Sequence, residues 1–248
     1  MTTLVVAAHP DDETLGAGIW MHRQAPDRVH VLHITDGSPQ DMHDATLLGF
    51  PTRESYARAR REEMSGVIQM LGIPPENWNQ LEIPDKEAHL HTSQLLTQMA
   101  GIIDAIEPAL VVTHAYEGGH PDHDTAAFAV ALLRKTRRFQ LLEFPLYRAN
   151  EQGEMVIGKF LHPASLPQQV IDLTPQECNF KSALRSRFET QKAMLERFPD
   201  GQERFREPPD YDFAKAPHEG ELLYERWGWP VSGSGWRECV RNASGFDG

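Results

Sequence analysis

Residues 4–13 have the sequence LVVAAHPDDE, an apolar run that passes without a spacer into a polar turn. A continuous run of small and β-branched residues is typical of a strand covered on both faces, as in a parallel sheet. Residues 4–8 are therefore predicted to form a buried first strand, and residues 12–25 a helix. A strand that leads directly into a helix is the opening expected of an α/β fold.

Short β-rich runs and longer helical patterns continue to alternate through the first half of the chain, which favours a parallel sheet covered by helices. Further strands are predicted at 28–35, 81–84, 109–113 and 140–146, and further helices at 52–71, 92–106 and about 120–134. The expected fold is a Rossmann-like, doubly wound α/β domain. Its mostly parallel sheet would have the order 3-2-1-4-5, with helices on both faces.

The pattern weakens after residue 146. An added edge strand is predicted at 154–160 and a helix at 175–197, and the segment 198–248 is rich in Pro, Gly and aromatic residues without a clear period. We therefore predict one domain over 1–248, with a core of about 1–197 and an irregular segment wrapped on it. Three tryptophans of this segment, Trp227, Trp229 and Trp236, are expected to anchor its packing on the domain. The alternative is that they close over a ligand-binding crevice.

Composition limits the classes of partner. The 248 residues include 36 Asp and Glu against 24 Lys and Arg, a formal charge of −12, so nucleic acid and anionic membranes are poor partners and a small molecule is expected. Cys178 and Cys239 lie far apart, which indicates neither a disulfide framework nor a thiolate zinc site and fits a reducing cytoplasm. The N-terminal run predicts neither a signal peptide nor a membrane span. A homo-oligomer is compatible with a chain of this size.

Two histidine- and aspartate-containing segments follow the first and fourth predicted strands. They are AHPDDE at 8–13 and GHPDHD at 119–124. In a sheet of order 3-2-1-4-5 these strands are neighbours whose following loops leave in opposite directions, and open α/β sheets bind ligands in the crevice between such loops. Both segments are therefore expected at one crevice.

The spacing within the two segments favours a metal site. His9 and Asp12 are three residues apart at one strand-to-helix turn, and His120 and His123 are three apart at the other, so each pair can direct polar groups into the crevice. Two histidines and one carboxylate leave a fourth position on zinc open for water, the pattern of catalytic zinc. For one segment alone, an Asp N-cap followed by a helix is an equal alternative, but two segments at adjacent strand ends favour the metal.

These segments resemble those of the LmbE-like and PIG-L-type zinc deacetylases, whose hallmarks are AHPDDE after the first strand and HPDH further on. The resemblance covers roughly the first 145 residues. It implies removal of an N-acetyl or other N-acyl group from an amino sugar or related small molecule. It also implies roles for five residues: His9, Asp12 and His123 as Zn²⁺ ligands, Asp11 as general base and His120 as the group that stabilises the oxyanion.

The chemistry of these residues is compatible with the implied roles. Zinc lowers the pKa of bound water towards about 7, and a nearby free carboxylate such as Asp11 can accept the proton. A protonated His120 could stabilise the carbonyl oxygen and later protonate the leaving amine. Asp122 is expected to orient one imidazole from behind, and Glu13 to be a structural acceptor at the helix start.

Substrate contacts are predicted at three further positions. Arg60 and Asp85 match places where the family contacts substrate hydroxyls, the alternatives being a solvated helix face and a turn residue. Some relatives have a mobile tyrosine before HPDH, where this chain has Glu117-Gly118-Gly119, so Tyr116 is only a nearby candidate.

Two other functions remain open at the level of the sequence. A metal-dependent phosphoesterase would need a second metal or a cationic clamp on the phosphate. A non-catalytic carbohydrate- or metal-binding protein would need neither Asp11 nor His120. The residues also leave open whether the substrate is a free amino sugar, a glycoside, a nucleotide sugar, a lipid-linked sugar or an antibiotic intermediate.

Overall fold

Five parallel strands form the central sheet of the computed structural model, which describes residues 1–161 and 166–243. They are β1 (Thr3–Ala7), β2 (Val29–His33), β3 (Trp78–Gln80), β4 (Leu110–His114) and β5 (Gln140–Phe144). Their spatial order is β3-β2-β1-β4-β5, which confirms the predicted doubly wound sheet. Because every pairing is parallel, the C-terminal ends of all five strands lie at one edge.

Helices cover both faces of this sheet. The first five are α1 (Asp12–His22), α2 (His43–Leu47), α3 (Arg53–Leu71), α4 (Thr92–Ile106) and α5 (Pro121–Arg134). Successive β1 side chains point to opposite faces. Val5 packs in one buried cluster with Met64 of α3, whereas Val6 packs in the other with Met99 of α4 and Ala126 of α5. The residues of β1 are fully buried because each face meets helices.

Local chemistry fixes the ends of the helices nearest the carboxyl edge. Thr52 caps α3 through a hydrogen bond from Ser55 N, and α3 ends at Gly72, whose φ of 70° suits glycine. Pro121 begins α5, and the His120 side chain caps it by accepting a hydrogen bond from Asp122 N. These contacts therefore define where α3 begins and ends and where α5 begins.

The remaining chain forms two small antiparallel sheets and four helices in its described part. Strand β6 (Tyr147–Ala149) pairs with β7 (Met155–Ile157), and β8 (Gln169–Asp172) pairs with β9 (Gln202–Phe205). The helices are α6 (Pro175–Arg185), α7 (Lys192–Leu195), α8 (Leu223–Arg226) and α9 (Gly233–Ala243). No described helix has both the length and the apolar character required to cross a membrane.

Several element predictions were wrong. The third strand is Trp78–Gln80 rather than 81–84, because Leu81 and Ile83 continue into the core as irregular extended chain beyond the ladder. The edge strand predicted at 154–160 is β7, which pairs with β6 in a separate two-stranded sheet. The helix predicted at 175–197 ends at Arg185, because Phe188 enters the core. The segment predicted to be irregular contains β9, α8 and α9, while residues 244–248 lie outside the described chain.

Candidate metal centre and active site

The two histidine- and aspartate-containing segments meet at the C-terminal ends of β1 and β4. His9 and Asp12 lie at the turn into α1, and His120 and His123 lie at the start of α5. The ring centroid of His9 is 4.4 Å from that of His120 and 5.3 Å from that of His123. All four side chains are buried, so the segments form one site.

The three predicted ligands converge on one carboxylate oxygen. Asp12 Oδ2 lies 3.0 Å from His9 Nδ1 and 3.2 Å from His123 Nε2. Within the described chain, His123 Nε2 is buried without a hydrogen bond of acceptable geometry. A buried imidazole nitrogen that faces a carboxylate without a well-formed hydrogen bond is an arrangement that a metal ion satisfies. Among the described residues, His123 shares one set of closely spaced donors with His9 and His120 and another with Asp12 and His114, and either set is close enough to hold a metal ion.

Charge in the site also favours a cation. Carboxylates lie on both sides of His9, with Asp85 Oδ1 and Asp122 Oδ2 at 3.0 and 3.2 Å from Nε2. Burial opposes protonation of His9, yet Asp85 and Asp12 hold its pKa well above the usual value. Burial likewise disfavours the ionised form of Asp12, but the imidazoles of His123 and His9 hold its pKa well below the usual value. Asp12 is therefore in the ionised form that binds metals.

His114, whose side-chain direction could not be predicted from the sequence, packs against the predicted ligand His123. The two rings stack with centroids 4.1 Å apart and an interplanar angle of 11°. His114 Nε2 accepts a hydrogen bond of 2.9 Å from Ala8 N, so this lone pair is not free for a metal. Burial, together with His123, keeps the pKa of His114 well below its usual value, so the ring is neutral. Its position as the last residue of β4, beside β1, was the available signal.

Asp11 has a constrained backbone and a constrained carboxylate. Its φ of 141° is unusual for a residue other than glycine. Its Oδ2 accepts a hydrogen bond of 2.8 Å from Arg60 Nη2. Burial raises the pKa of Asp11 well above its usual value, although Arg60 opposes the shift. A carboxylate whose pKa is moved towards neutrality is suited to accepting a proton from water.

Arg60 belongs to this arrangement rather than to a solvated helix face. Its side chain is 3% exposed and also donates to Pro10 O at 2.9 Å and to Gly37 O. Gly37 has φ 68°, and a Cβ there would lie 2.5 Å from Arg60 Nη1. The guanidinium thus holds the Asp11 carboxylate in place, and the contact with substrate hydroxyls that the family resemblance implies for Arg60 stays a prediction.

His120 differs from the expected imidazolium. Its Nδ1 accepts a hydrogen bond of 3.1 Å from Asp122 N, which leaves the proton on Nε2, 3.4 Å from Asp85 Oδ1. Burial, followed by the nearby His9, lowers the pKa of His120 to about 4. His120 therefore presents a neutral imidazole N–H at the site.

Asp122 lies beside the His9 imidazole, and Asp85, the predicted substrate contact, lies 3.0 Å from His9 Nε2 and 3.4 Å from His120 Nε2. Asp122 Oδ2 accepts a hydrogen bond of 2.6 Å from Lys86 N, and Oδ1 accepts one of 3.0 Å from Ala88 N. The Asp122 carboxylate is fully buried, whereas Asp85 faces the cavity. Asp122 is therefore a fixed support for His9, and Asp85 is accessible to a ligand.

A cavity of 450 Å³ opens above the site. Its floor contains His9, Asp11, Asp12 and His120, and an aromatic wall is formed by Tyr147, Phe198, Trp227 and Trp229. Gly119 permits this arrangement because a Cβ there would lie 1.8 Å from Tyr147 O. The rim includes Asp41, His43, Asp44 and Lys86.

The aromatic predictions need correction at two places. Tyr116 is not among the described residues that line the cavity, because its hydroxyl donates to Lys215 O at 2.9 Å and its ring stacks on Trp236. Tyr147 occupies the cavity instead, with its ring 5.1 Å from that of His123. Trp236 is a buried packing residue as expected, but Trp227 and Trp229 line the cavity.

Comparison with known families identifies the chain. The profile described as "PIG-L: GlcNAc-PI de-N-acetylase" matches residues 4–133, just over half of the 248 residues. The chain belongs to the PIG-L family. This confirms the resemblance inferred from AHPDDE and HPDH, and the PIG-L protein is accordingly an N-deacetylase, as the sequence predicted.

Solved structures share the fold of this PIG-L protein. A deacetylase of teicoplanin biosynthesis is 17% identical with a TM-score of 0.64, covering 83% of this chain and 97% of its own. N,N′-diacetylchitobiose deacetylase from Pyrococcus horikoshii is 18% identical with a TM-score of 0.54, covering 83% and 82%. GalB, a 4-carboxy-2-hydroxymuconate hydratase from Pseudomonas putida, is 19% identical with a TM-score of 0.55, covering 79% and 82%. No curated protein matches the sequence.

Proposed function

We propose that this PIG-L protein is a zinc-dependent hydrolase that removes the N-acetyl group from an amino sugar carried on a small, uncharged glycoside. The observation that carries the proposal is the position of Asp12 Oδ2, which lies 3.0 Å from His9 Nδ1 and 3.2 Å from His123 Nε2, beside Asp11 at the floor of one cavity. The unpaired Cys178 and Cys239 are compatible with the predicted cytoplasmic setting.

His9, Asp12 and His123 would hold the zinc ion. When bound, zinc supplies a Lewis acid for the amide carbonyl and lowers the pKa of the attacking water. Asp11 accepts the proton of that water, and Arg60 keeps its carboxylate in place during the transfer. The water oxygen forms a bond to the carbonyl carbon, the C–N bond breaks, and Asp11 returns the proton to the leaving amine.

His120 contributes a neutral donor to the same step. Its Nε2–H faces the cavity side of the site near Asp85. As the amide is attacked, negative charge develops on the carbonyl oxygen, and a fixed N–H donor stabilises that charge. A neutral imidazole keeps its N–H without acidic pH, so His120 can stabilise the developing charge. Because the neutral ring carries no additional proton, we assign proton delivery to Asp11.

The charges around the cavity support an uncharged substrate. Among the described lining residues the cations are Arg60 and Lys86, and both are paired, Arg60 with Asp11 and Lys86 with Asp41 at 3.0 Å. A phosphate would meet the rim carboxylates of Asp41 and Asp44 without a free cationic clamp, which argues against a phosphoesterase. The aromatic wall offers apolar faces against which a sugar ring can lie. The deacetylases named for teicoplanin biosynthesis and for N,N′-diacetylchitobiose support the same substrate class.

The proposal is tested by measuring acetate release from the full-length protein. The panel contains N-acetylglucosamine, an aryl N-acetylglucosaminide, N,N′-diacetylchitobiose and, for the phosphoesterase alternative, p-nitrophenyl phosphate. We expect acetate from at least one N-acetyl glycoside, loss of the reaction with a chelator, recovery with zinc and no phosphate release.

Two aspartate variants provide the controls. Asp11→Asn should slow acetate release about 10³-fold, whereas Asp27→Asn changes an exposed carboxylate far from the site and should leave the rate unchanged. Phosphate release without acetate release, or acetate release that survives complete metal removal, would contradict the proposed function.

A further inference from the structure

The backbone of Asp11 requires support from its neighbours. With φ 141° and ψ −30°, it adopts a conformation that residues with a side chain rarely occupy. Such a conformation persists only where the surrounding structure fixes it. Arg60 holds the carboxylate, but the Asp11 N–H donates elsewhere, to Glu13 Oε2 at 3.2 Å. The position of Glu13 therefore influences the direction of the Asp11 carboxylate.

Glu13 is itself held from the neighbouring strand. Its side chain is fully buried, and its Oε2 lies 2.7 Å from Nε2 of His33, the last residue of β2. The other carboxylate oxygen accepts a hydrogen bond from Thr14 Oγ1. His33 is also fully buried, so Glu13 has no access to water through this side. A buried carboxylate in this position depends on these donors for its hydrogen bonds.

Trp78 determines which His33 nitrogen carries the proton. The indole Nε1 of Trp78 lies 3.0 Å from His33 Nδ1. An indole N–H can only donate, so His33 Nδ1 must be the acceptor. The proton of the neutral ring is consequently on Nε2, where it donates to Glu13. The indole thus keeps His33 in the tautomer that binds the carboxylate.

These contacts form a continuous path across the sheet, from Trp78 on β3 to His33 on β2, then to Glu13 on α1 and the Asp11 N–H. We propose that His33 and Trp78 are positioning residues for the general base, because they fix Glu13 and through it the backbone of Asp11. This inference rests on the proposed role of Asp11. Neither residue touches the cavity, so each acts on turnover only through Glu13.

The experiment compares kcat, KM and zinc per chain in three variants. Removing a group that orients an active-site residue typically costs about 10–100-fold in activity. We expect His33→Phe to lower kcat about 100-fold and Trp78→Phe about 5-fold. KM and zinc content should stay within about twofold of wild type in both. His33→Gln, whose amide N–H can replace Nε2–H, should recover most of the lost turnover.

Matched controls separate this effect from general destabilisation. Trp20→Phe changes a buried tryptophan on α1 that packs on Phe205, and His30→Gln changes another β2 histidine. Both controls should retain wild-type kcat. Wild-type turnover in folded, zinc-loaded His33→Phe, or equal losses in the two tryptophan variants, would overturn the proposal. If His33→Phe does not fold, Trp78→Phe against Trp20→Phe decides.

A second measurement does not depend on activity. In ¹⁵N spectra of the wild-type histidines, the resonance absent from His33→Gln should show the Nε2–H tautomer, and exchange of the Asp11 amide proton should be slow. Trp78→Phe should speed that exchange several-fold, whereas Trp20→Phe should not. An Nδ1–H tautomer, or unchanged exchange, would overturn the positioning path. A wild type that releases no acetate would overturn the proposed function, and the path would then be decided by the exchange rates.

Discussion

Two buried clusters of ionisable side chains lie near β4 and β5, and they differ in how completely their polar atoms are hydrogen-bonded. The first is the metal site at the ends of β1 and β4. The second, which we call the Arg206 cluster, joins Arg206 Nε to Glu143 Oε1 at 2.6 Å and Tyr211 Oη to both Glu143 oxygens at 2.9 Å. Arg206 Nη1 also donates to Leu161 O, and Leu161 N donates to the nearby Glu117. The named polar atoms of the Arg206 cluster therefore have hydrogen-bond partners within the cluster, although burial still raises the pKa of Glu143 to about 8.

The metal site does not satisfy its own polar atoms. Among the described residues, His123 Nε2 and Asp85 Oδ1 are buried without hydrogen bonds of acceptable geometry. A native protein rarely leaves such atoms unpaired without a functional reason. Buried charge alone therefore does not mark a functional site. Buried polar atoms that lack well-formed hydrogen bonds, beside a cavity, distinguish the candidate active site from the Arg206 cluster.

The largest expected effect is on turnover at the metal site. Asp11→Asn keeps the shape of the side chain but removes the base, so kcat should fall about 10³-fold, within the range for general base catalysis. Zinc content should not change, because Asp11 is not one of the three proposed ligands. Steady-state kinetics normalised to zinc will check this, and near wild-type kcat would remove Asp11 from the role of base.

The next largest effect should be a loss of unfolding free energy when the Arg206 cluster is mutated. Arg206→Leu leaves Glu143 without its cation, and breaking a buried pair typically costs about 3–5 kcal/mol. Urea unfolding should show this loss, while kcat per folded molecule stays at the wild-type value. A double variant with Glu143→Leu should recover part of the stability. Loss of turnover without loss of stability would break the distinction between the two clusters.

A third effect concerns pH. Burial raises the pKa of Glu117 from an ordinary 4.5 to about 7, against the opposing Arg148 and Arg206. The stabilising contribution of neutral Glu117 is fully present below pH 4.5 and is lost as pH rises through about 7. The free energy of unfolding should therefore fall by about 3 kcal/mol at most over this interval.

Replacement of Glu117 by its neutral isostere provides the matching control. Glu117→Gln keeps an oxygen that can accept the Leu161 N–H but cannot ionise, so its unfolding free energy should be flatter between pH 5 and pH 8. Urea unfolding at four pH values in this range measures both proteins. Equal slopes in wild type and variant would show that Glu117 does not control the pH dependence.

The smallest effect should come from the aromatic wall. Trp227 lines the cavity and is 39% exposed. Loss of an aromatic contact is worth about 0.5–1.5 kcal/mol beyond the lost area. Trp227→Ala should accordingly raise KM about fivefold for a glycoside and leave kcat nearly unchanged. Leu90→Ala removes an exposed apolar side chain elsewhere and should change neither value. An unchanged KM in Trp227→Ala would show that the substrate does not reach this wall.

The sequence predicted the sheet order and the meeting of the two segments because both depend on local patterns. Buried β-branched runs identify parallel strands, and residues at adjacent strand ends must approach each other. The pairing of Arg60 with Asp11 could not be predicted in this way, because 49 positions separate the two residues. In addition, Arg60 is followed by the exposed Arg61, and the sequence pattern does not show which of the two arginines is buried. The same limit hid the contact between His33 and Glu13.

The C-terminal part was harder to predict for a different reason. In α9, Gly233, Trp236 and Val240 are buried at helical spacing, but the glycines at its start lower the helix propensity of the segment. Gly233 is needed there because a Cβ would lie 2.6 Å from Leu222 Cδ1. Tertiary packing therefore overrides the local signal, and it also brings Trp227 and Trp229 to the cavity.

The most direct test of the account is the metal content of the purified protein, measured by elemental analysis in wild type, His123→Ala and Arg206→Leu. The unpaired His123 Nε2 predicts about one zinc ion per wild-type chain and almost none in His123→Ala. Arg206→Leu changes only the self-satisfied cluster, so its folded fraction should still hold one zinc ion. Metal-free wild-type protein that releases acetate at full rate, or equal zinc content in the His123 variant, would contradict the account.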